Sequence, residues 1–389
     1  MTRVGFIINA SWLGGINYFR NLLCALHELP DRKIDPVIIT GRRVDPNHLS
    51  GFPPFEHFRT GLVDRRTIPW FARGLLLISN TRDFLLERFL TGHDISVLSH
   101  SGYLGEGSQV PTLGWIPDFQ HKRLPNFSTP RENARRDREF ANLCRHCTRV
   151  IVSSHDALND LKTFYPNCAP KARVLQFVAS APDIRDLPSQ NEIAQKYGLS
   201  SSFFFLPNQF WAHKNHRVVL EALHILKNNG HNIQVAVTGN PDDYRSPGFF
   251  DSLMRMAREL GVSENFRVLG LVPYADLMSL MNGALAVINP SLFEGWSTTV
   301  EEAKSLGKYV ILSDIPVHRE QAPDGGIYFD PHNGESLAQA FLTFLSSYPS
   351  AAADDLRDRA RLAFETRRTA FASAYQDIVS EVLQSTSDR

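Results

Sequence analysis

The sequence predicts two doubly wound α/β units, each a parallel sheet with helices on both faces. Three observations carry that reading. Apolar runs of four to six residues recur and alternate with stretches of helical period, the rhythm of βαβ units. The rhythm breaks near residue 180 and then restarts. A chain of 389 residues also exceeds what one hydrophobic core usually organises.

The elements follow in order. VGFII (4–8) reads as a strand that leads through a glycine turn into the helical pattern INYFRNLLCALHEL. PVIIT (36–40), ISVLS (95–99), TLGWIP (112–117) and RVIVS (149–153) continue the sheet. Between about Gly51 and Thr91 the chain is rich in Phe and Arg and shows no clear period. VASAPDIRDLPSQ, with Pro182, Pro188, small residues and charges, suits an inter-domain linker. Beyond it SFFFLPN reads as a strand, RVVLEALHILKNNG as a helix ending at Gly230, QVAVTG as a strand and FFDSLMRMARELG as a helix. FRVLG, ALAVINP, YVILSD and GIYFD read as further strands. Apolar residues at roughly helical spacing (Leu362, Phe364, Phe371, Tyr375, Ile378, Val382) predict one or two terminal helices. The expected division is a first domain over 1–180, a second over 181–365, and a C-terminal helix over 366–389 that packs back on the first.

Lys plus Arg and Asp plus Glu number 41 each, so no overall field draws the molecule to nucleic acid or anionic lipid. The run from Arg131 to Arg149 is locally basic, but Glu132, Asp137 and Glu139 interrupt it and it reads as a solvated helix face. Four cysteines are too few for a disulfide framework, and the CxxC at Cys144 and Cys147 has no second pair to complete a zinc site. The chain opens on a strand and holds no run of about eighteen apolar residues, so the cytosol is the expected location.

In open α/β sheets ligands sit beyond the carboxyl ends of the strands, which makes polar residues just after strands the candidates. SLFEGWSTTVEEAKSLGK (291–308) is the most informative such stretch. Pro290 ends the strand ALAVINP, and Ser291 to Gly295 form a turn. Ser297, Thr298 and Thr299 are N-cap candidates. Glu301 and Glu302 each follow a Thr by three residues, the capping-box spacing. Gly307 suits the position after the helix. A start built from Gly and small hydroxyl residues presents backbone N–H groups and the positive end of the helix dipole, a seat for phosphate. Glu301 reads as a complement to that dipole. Glu294 cannot cap the helix by sequence position, so its expected partners are hydroxyls or a cation. In PNQFWAHKNH (207–216), after the strand FFFL, Lys214 falls in a loop and Asn215 is a plausible N-cap for the next helix. In WLGGINYFR, Gly14 and Gly15 either allow close approach of a ligand or simply turn the chain; the segment is not a full GxGxxG fingerprint.

PSLFEGWSTTVEEAKSLGKYVILSD, with RVLGLVPYADLMSLMNGALAVINPS before it and GGIYFDPHNGESLAQAF after it, resembles the E-x7-E segment of retaining nucleotide-sugar glycosyltransferases. These are the family-four, or group 1, enzymes. The resemblance implies the GT-B fold, two Rossmann-like domains facing a central cleft. It also implies transfer of a hexose-type sugar (mannose, rhamnose or glucose class) from a GDP- or UDP-linked donor to a glycan or lipid-linked acceptor, as in bacterial polysaccharide or O-antigen assembly.

Residue roles follow from the same resemblance. Glu302 would accept hydrogen bonds from the ribose hydroxyls, since a carboxylate grips a cis-diol with two charge-assisted bonds. Glu294 would contact hydroxyls of the donor sugar. Backbone groups over Gly295, Trp296, Ser297, Thr298 and Thr299 would hold sugar and diphosphate. Leu271, Val272 and Leu277 would house the nucleobase, with Leu277 equally readable as core. Lys214 would stabilise the leaving diphosphate. Many relatives carry an Arg about six residues before that Lys. Here those positions are Asn208 and Gln209, which bring no charge, leaving His213, His216 or an Arg of the other domain to supply it. Gly14 and Gly15 would lie against the donor phosphates. Asp118 and His121, in WIPDFQHKRLPNFS (115–128), match a further catalytic block, with a loop-holding role open for each. The implied chemistry is front-face substitution, in which the leaving phosphate oxygen takes the acceptor proton. No metal and no cofactor beyond the nucleotide-sugar co-substrate is implied, and no nucleic acid. A lipid-linked acceptor would bring the chain to a membrane surface, through Arg131–Arg149 or the aromatic Phe52–Phe58 and Phe71. The alternatives are a nucleotide-sugar epimerase or hydrolase of the same fold, and a catalytically silent nucleotide-sugar binding protein.

Overall fold

The structure is a computed structural model that describes residues 1–9, 13–80, 82–182, 185, 187–243, 245–347 and 351–387. Trp12 of the glycine segment and Asp183, Ile184 and Asp186 of the linker segment lie outside the described residues. The chain forms two compact units. One comprises Met1–Phe119, Arg131–Val178 and Thr366–Arg389; the other comprises Gln120–Pro130 and Ala179–Glu365.

Among the described residues the first unit holds a parallel sheet of β1 (Thr2–Ile7), β2 (Ile34–Thr40), β3 (Glu56–Arg59), β4 (Val97–Ser99), β5 (Thr112–Ile116), β6 (Arg149–Val152) and β7 (Ala172–Val174). Their order is β3-β2-β1-β4-β5-β6-β7. Its helices are α1 (Leu13–His27), α2 (Ile68–Asn80) and α3 (Phe84–Gly92). The single turn α4 (Gln120–Arg123) is counted with the other unit, and α5 (Pro130–His146) and α6 (His155–Phe164) complete the first. The segment without clear period contains β3, α2 and α3.

The second unit runs α7 (Gln190–Tyr197), β8 (Phe204–Pro207), α8 (His216–Asn228), β9 (Val235–Thr238), α9 (Phe249–Glu259), β10 (Phe266–Gly270) and α10 (Tyr274–Gly283). It continues with β11 (Val287–Asn289), α11 (Thr298–Ser305), β12 (Val310–Ser313), α12 (Pro316–Gln321), β13 (Gly326–Phe329) and α13 (Gly334–Ser347). Its parallel sheet has the order β10-β9-β8-β11-β12-β13. Phe204 and Leu206 enter one core with Val237, Ile288 and Ile311. Phe203 and Phe205 enter another with Ala236, Val287 and Leu312. Because both faces are covered, the strand reads as a continuous apolar run without polar alternation.

One helix, α14 (Ala351–Ser387), forms the tail; its residues from Thr366 belong to the first unit. There Phe371, Tyr375, Ile378 and Val382 are buried, and Tyr375 Oη donates to Ser99 Oγ at 2.8 Å. Leu362, read as part of the same apolar stripe, is exposed. No helix among the described residues is long and apolar enough to cross a membrane.

Candidate active site

In the second unit the strand order reverses between β8 and β11, and the crevice past such a reversal is where doubly wound sheets bind ligands. The loops leaving these two strands carry Lys214 and Glu294. Lys214 ends a short 3-10 turn (Ala212–Lys214). Its Nζ donates to Glu294 Oε1 at 2.6 Å, with the two side chains 14% and 11% exposed. The loops are also joined through the backbone, where Leu292 N donates to His213 O at 2.8 Å. Asn215 is the N-cap residue of α8, but its side chain makes no capping bond. It takes a left-handed φ of 57° and donates from Nδ2 to Pro290 O (3.1 Å) and Pro331 O (2.8 Å), tying neighbouring loops together.

A buried polar network fixes the Glu294 loop from below. Ser291 Oγ lies 2.7 Å from Glu294 Oε1 and 2.7 Å from Asn289 Oδ1. Asn208 Nδ2 donates to the same Asn289 oxygen at 3.2 Å, and Asn289 Nδ2 donates to Ser297 Oγ at 2.8 Å. Ser313 Oγ donates to Ser291 O at 2.5 Å. His318, wholly buried, faces the Ser313 carbonyl with Nδ1 at 2.9 Å. A carbonyl only accepts, so the proton sits on Nδ1. Burial holds this imidazole near a pKa of about 4, with Glu294 pulling it up and Lys214 pushing it down.

The N-cap of α11 is Ser297, whose Oγ accepts from Val300 N. The expected capping box from Thr298 or Thr299 is therefore not formed. Glu301 and Glu302 stand at the fourth and fifth helical positions, too far along to bond back to the cap. Glu301 is buried and bonds Lys304 Nζ (3.2 Å) and Gln321 Nε2 (3.0 Å), so it does more than complement a dipole. The cap leaves the N–H groups of Thr298 and Thr299 without an intrahelical acceptor. The helix ends with Leu306 as C-cap, followed by Gly307 at φ 62°. A Cβ at Gly307 would come within 2.5 Å of Arg357 Cα.

The two carboxylates of the motif have opposite environments. Burial raises the pKa of Glu294, but the charge and hydrogen bond of Lys214 and the Ser291 hydroxyl outweigh it and bring the group to about 2. Glu302 is buried, and its carboxylate makes no hydrogen bond or ion pair among the described residues. Burial alone pushes it up to about 8, with no neighbouring charge in opposition. The structure thus joins Lys214 and Glu294 directly, and places Glu302 on the helix after the Glu294 loop, with no hydrogen bond or ion pair to either among the described residues.

The remaining candidates fall as follows. Asn208 is buried and spends its amide on Asn289, while Gln209 Oε1 accepts from Asn240 N at 2.6 Å. Both hold loops in place. The loop after β9 reaches Gln209 because Gly239 has φ 146° and no side chain; a Cβ there would lie 2.4 Å from Asn208 O. His213 and His216 are corrected as sources of charge, since burial, with help from Lys214, lowers both to about 3 and leaves them neutral at pH 7. The sequence reading missed Arg245 of the same unit. Its guanidinium carbon lies 4.7 Å from the centroid of the Trp211 ring, Nε donates to Asp243 Oδ1 at 3.0 Å, and its charge acts on His213, next to Lys214. Its position after the strand QVAVTG was the available signal.

Leu271 is exposed just past β10, while Val272 and Leu277 are partly buried against the core. Gly295 and Trp296 complete the turn before α11. Gly14, exposed, and Gly15, buried, lie in the first turn of α1 in the first unit. Asp118, also in the first unit, pairs with Arg136 Nη2 at 2.8 Å. His121 is buried on α4 and counted with the second unit.

Residues 189–363 match the model of the family described as glycosyl transferases group 1. The O-antigen chain mannosyltransferase RfbU of Salmonella typhimurium is 27% identical over 196 residues, 50% of either chain. The O-antigen chain mannosyltransferase B of Escherichia coli is 29% identical over 133 residues, 33% of this chain and 35% of that one. The chain thus spans half or less of the length of these curated relatives. Among solved structures, Anabaena HepE in complex with UDP and glucose superposes with a TM-score of 0.69 at 15% identity, over 98% of this chain and 100% of that one. That likeness, with two parallel sheets of Rossmann type, makes the fold GT-B. Through the match over residues 189–363, a little under half of the chain, the second unit is similar to the group 1 glycosyl transferases.

Proposed function

We propose that the chain transfers a hexose, of the mannose class, from a nucleotide-diphosphate sugar to a hydroxyl of a glycan or lipid-linked acceptor with retention of configuration. One observation carries the reading: Glu302 has a buried carboxylate with no polar partner among the described residues, on the helix whose preceding loop carries Glu294, the partner of Lys214. A buried unpaired carboxylate costs stability, and a cis-diol such as that of ribose supplies the two donors it lacks. Lys214, Arg245 and the free N–H groups at the start of α11 take the diphosphate charge. Donor binding draws Lys214 from Glu294 to the phosphate and frees Glu294 Oε1 for sugar hydroxyls. The names of the two mannosyltransferase relatives support mannose and O-antigen assembly. HepE bound to UDP and glucose supports a nucleotide and a sugar as ligands of this fold.

Retention follows from front-face displacement. Glu294, with its oxygens taken by the Ser291 hydroxyl and the sugar hydroxyls, is a weak nucleophile. The C1–O bond to phosphate breaks first, the acceptor oxygen bonds to C1 on the same face, and the departing phosphate oxygen takes the acceptor proton. The residues position the reactants and stabilise phosphate charge, a role that requires no divalent cation. The reaction runs in the cytosol, where nucleotide sugars are available.

The test is incubation with GDP-mannose or UDP-glucose and lipid-linked saccharide acceptors in the presence of a chelator. An α-linked product supports the reading. Donor consumption without acceptor marks an epimerase or hydrolase, and donor binding without turnover on any acceptor marks a silent binding protein. Either result overturns it.

A further inference from the structure

The helix α2 turns its apolar stripe outward. Ile68 is 86% exposed, Leu75 69%, Phe71 59% and Trp70 36%. Ile68, Phe71 and Leu75 stand at i, i+3 and i+7 and so form one stripe, which a surface helix ordinarily faces to the core. Trp70 lies beside it, edge-on to Phe71 at 5.0 Å between ring centroids. From Arg65 to Arg82 the sequence has no Asp or Glu. Arg73 and Arg82 are neutralised by Asp83 and Glu87, each at 2.6 Å. Arg65 and Arg66, exposed in the turn leading into α2, make no ion pair among the described residues.

We propose that this face docks on an anionic lipid membrane. Ile68, Trp70, Phe71 and Leu75 enter the boundary between headgroups and acyl chains, and Arg65 and Arg66 meet lipid phosphates. Aromatic and aliphatic side chains beside unpaired Arg have the chemistry of an interfacial helix. A second copy of the chain is the poorer occupant, because a two-fold contact through this patch would bring two Arg pairs together. The earlier candidates fit less well. On α5 Arg136 is already paired with Asp118, and Phe52 and Phe55 lie partly buried under Arg20 and Arg32 at 5.7 and 5.2 Å. The inference goes beyond the transfer reading, and vesicle binding is read without turnover, so either can fail alone.

The experiment is flotation of the full chain with phosphatidylcholine vesicles, with and without phosphatidylglycerol, at low and high salt. Wild type floats with phosphatidylglycerol vesicles about tenfold more than with neutral ones, and high salt reduces the difference. Arg65→Glu with Arg66→Glu abolishes the preference. Phe71→Ser with Leu75→Ser lowers partition into both vesicles about tenfold at an unchanged melting temperature, since these side chains are exposed. Wild type that floats with neither vesicle, or variants that float like wild type, overturns the proposal. So does self-association that the serine pair removes without any vesicle binding.

Discussion

Lys214 Nζ stands 2.6 Å from Glu294 Oε1, on loops from the two strands between which the sheet order of the second unit reverses. Eighty residues separate them in sequence. Each side chain satisfies a charge the other could not bury alone, so the pair holds both groups in one geometry.

Breaking this pair from one side is therefore expected to cost more than removing both charges. Lys214→Met leaves Glu294 buried and unpaired and destabilises by about 3–5 kcal/mol. Glu294→Gln added to it recovers on the order of 1–3 kcal/mol. Urea unfolding of the two single variants and the double variant measures the coupling. Additive losses contradict it.

The two carboxylates give opposite pH signatures. Glu294 has a folded pKa lowered to about 2, so its contribution is present above the unfolded value of about 4.3 and is lost as pH falls toward 2. Glu302 has a folded pKa raised to about 8, so the fold favours its protonated form and stability is lost as pH rises from about 4.3 toward 8. Glu302→Gln is expected to exceed wild type by on the order of 5 kcal/mol at pH 8.5 and to match it near pH 4. Denaturant midpoints across this range check both signs.

Ligand binding couples to the same proton. At pH 7 Glu302 of the ligand-free chain is mostly protonated, and a diol that favours the carboxylate expels the proton. Calorimetry of nucleoside diphosphate binding in buffers of different ionisation enthalpy is expected to show proton release in wild type and none in Glu302→Gln.

The proposed reaction assigns to Arg245 the phosphate-binding charge that Asn208 and Gln209 lack. Arg245→Ala is expected to weaken nucleoside diphosphate binding about tenfold and leave the parent nucleoside unaffected, because only the phosphates use the guanidinium. Equal loss for both ligands in a binding titration would mean that Arg245 only supports Trp211.

Gly239→Ala tests the loop packing beside the pair. The new Cβ would meet Asn208 O at 2.4 Å at a φ of 146°, and a loss of about 1–3 kcal/mol is expected in thermal unfolding.

How much of this was legible depended on how local its cause is. The run FFFL revealed a strand because both faces of β8 are covered, and Gly307 marked the end of α11 because its left-handed φ is a local requirement. At the start of α11 Ser297, one of the N-cap candidates, is the cap, whereas the capping box expected from Thr298 or Thr299 is not formed. Ser297 is held as the cap by Asn289 and Gln321, neither of which is adjacent in sequence. Residues 51–91 gave no period because α2 exposes an apolar stripe, which removes the polar face on which amphipathic reading depends. Lys214 and Glu294 could be named singly, but their ion pair could not, since it forms across two loops. Arg245 went unnoticed for the same reason, its partner Trp211 lying on another loop.

The most direct measurement is calorimetric titration of guanosine and uridine diphosphates, each beside its 2′,3′-dideoxy analogue, into wild type and Glu302→Gln. At least one diphosphate is predicted to bind wild type about tenfold or more tightly than its dideoxy form, and Glu302→Gln is predicted to hold both forms at the weaker level. If neither diphosphate binds, or if the preference for the ribose hydroxyls survives in Glu302→Gln, then Glu302 does not hold the ribose of a nucleotide.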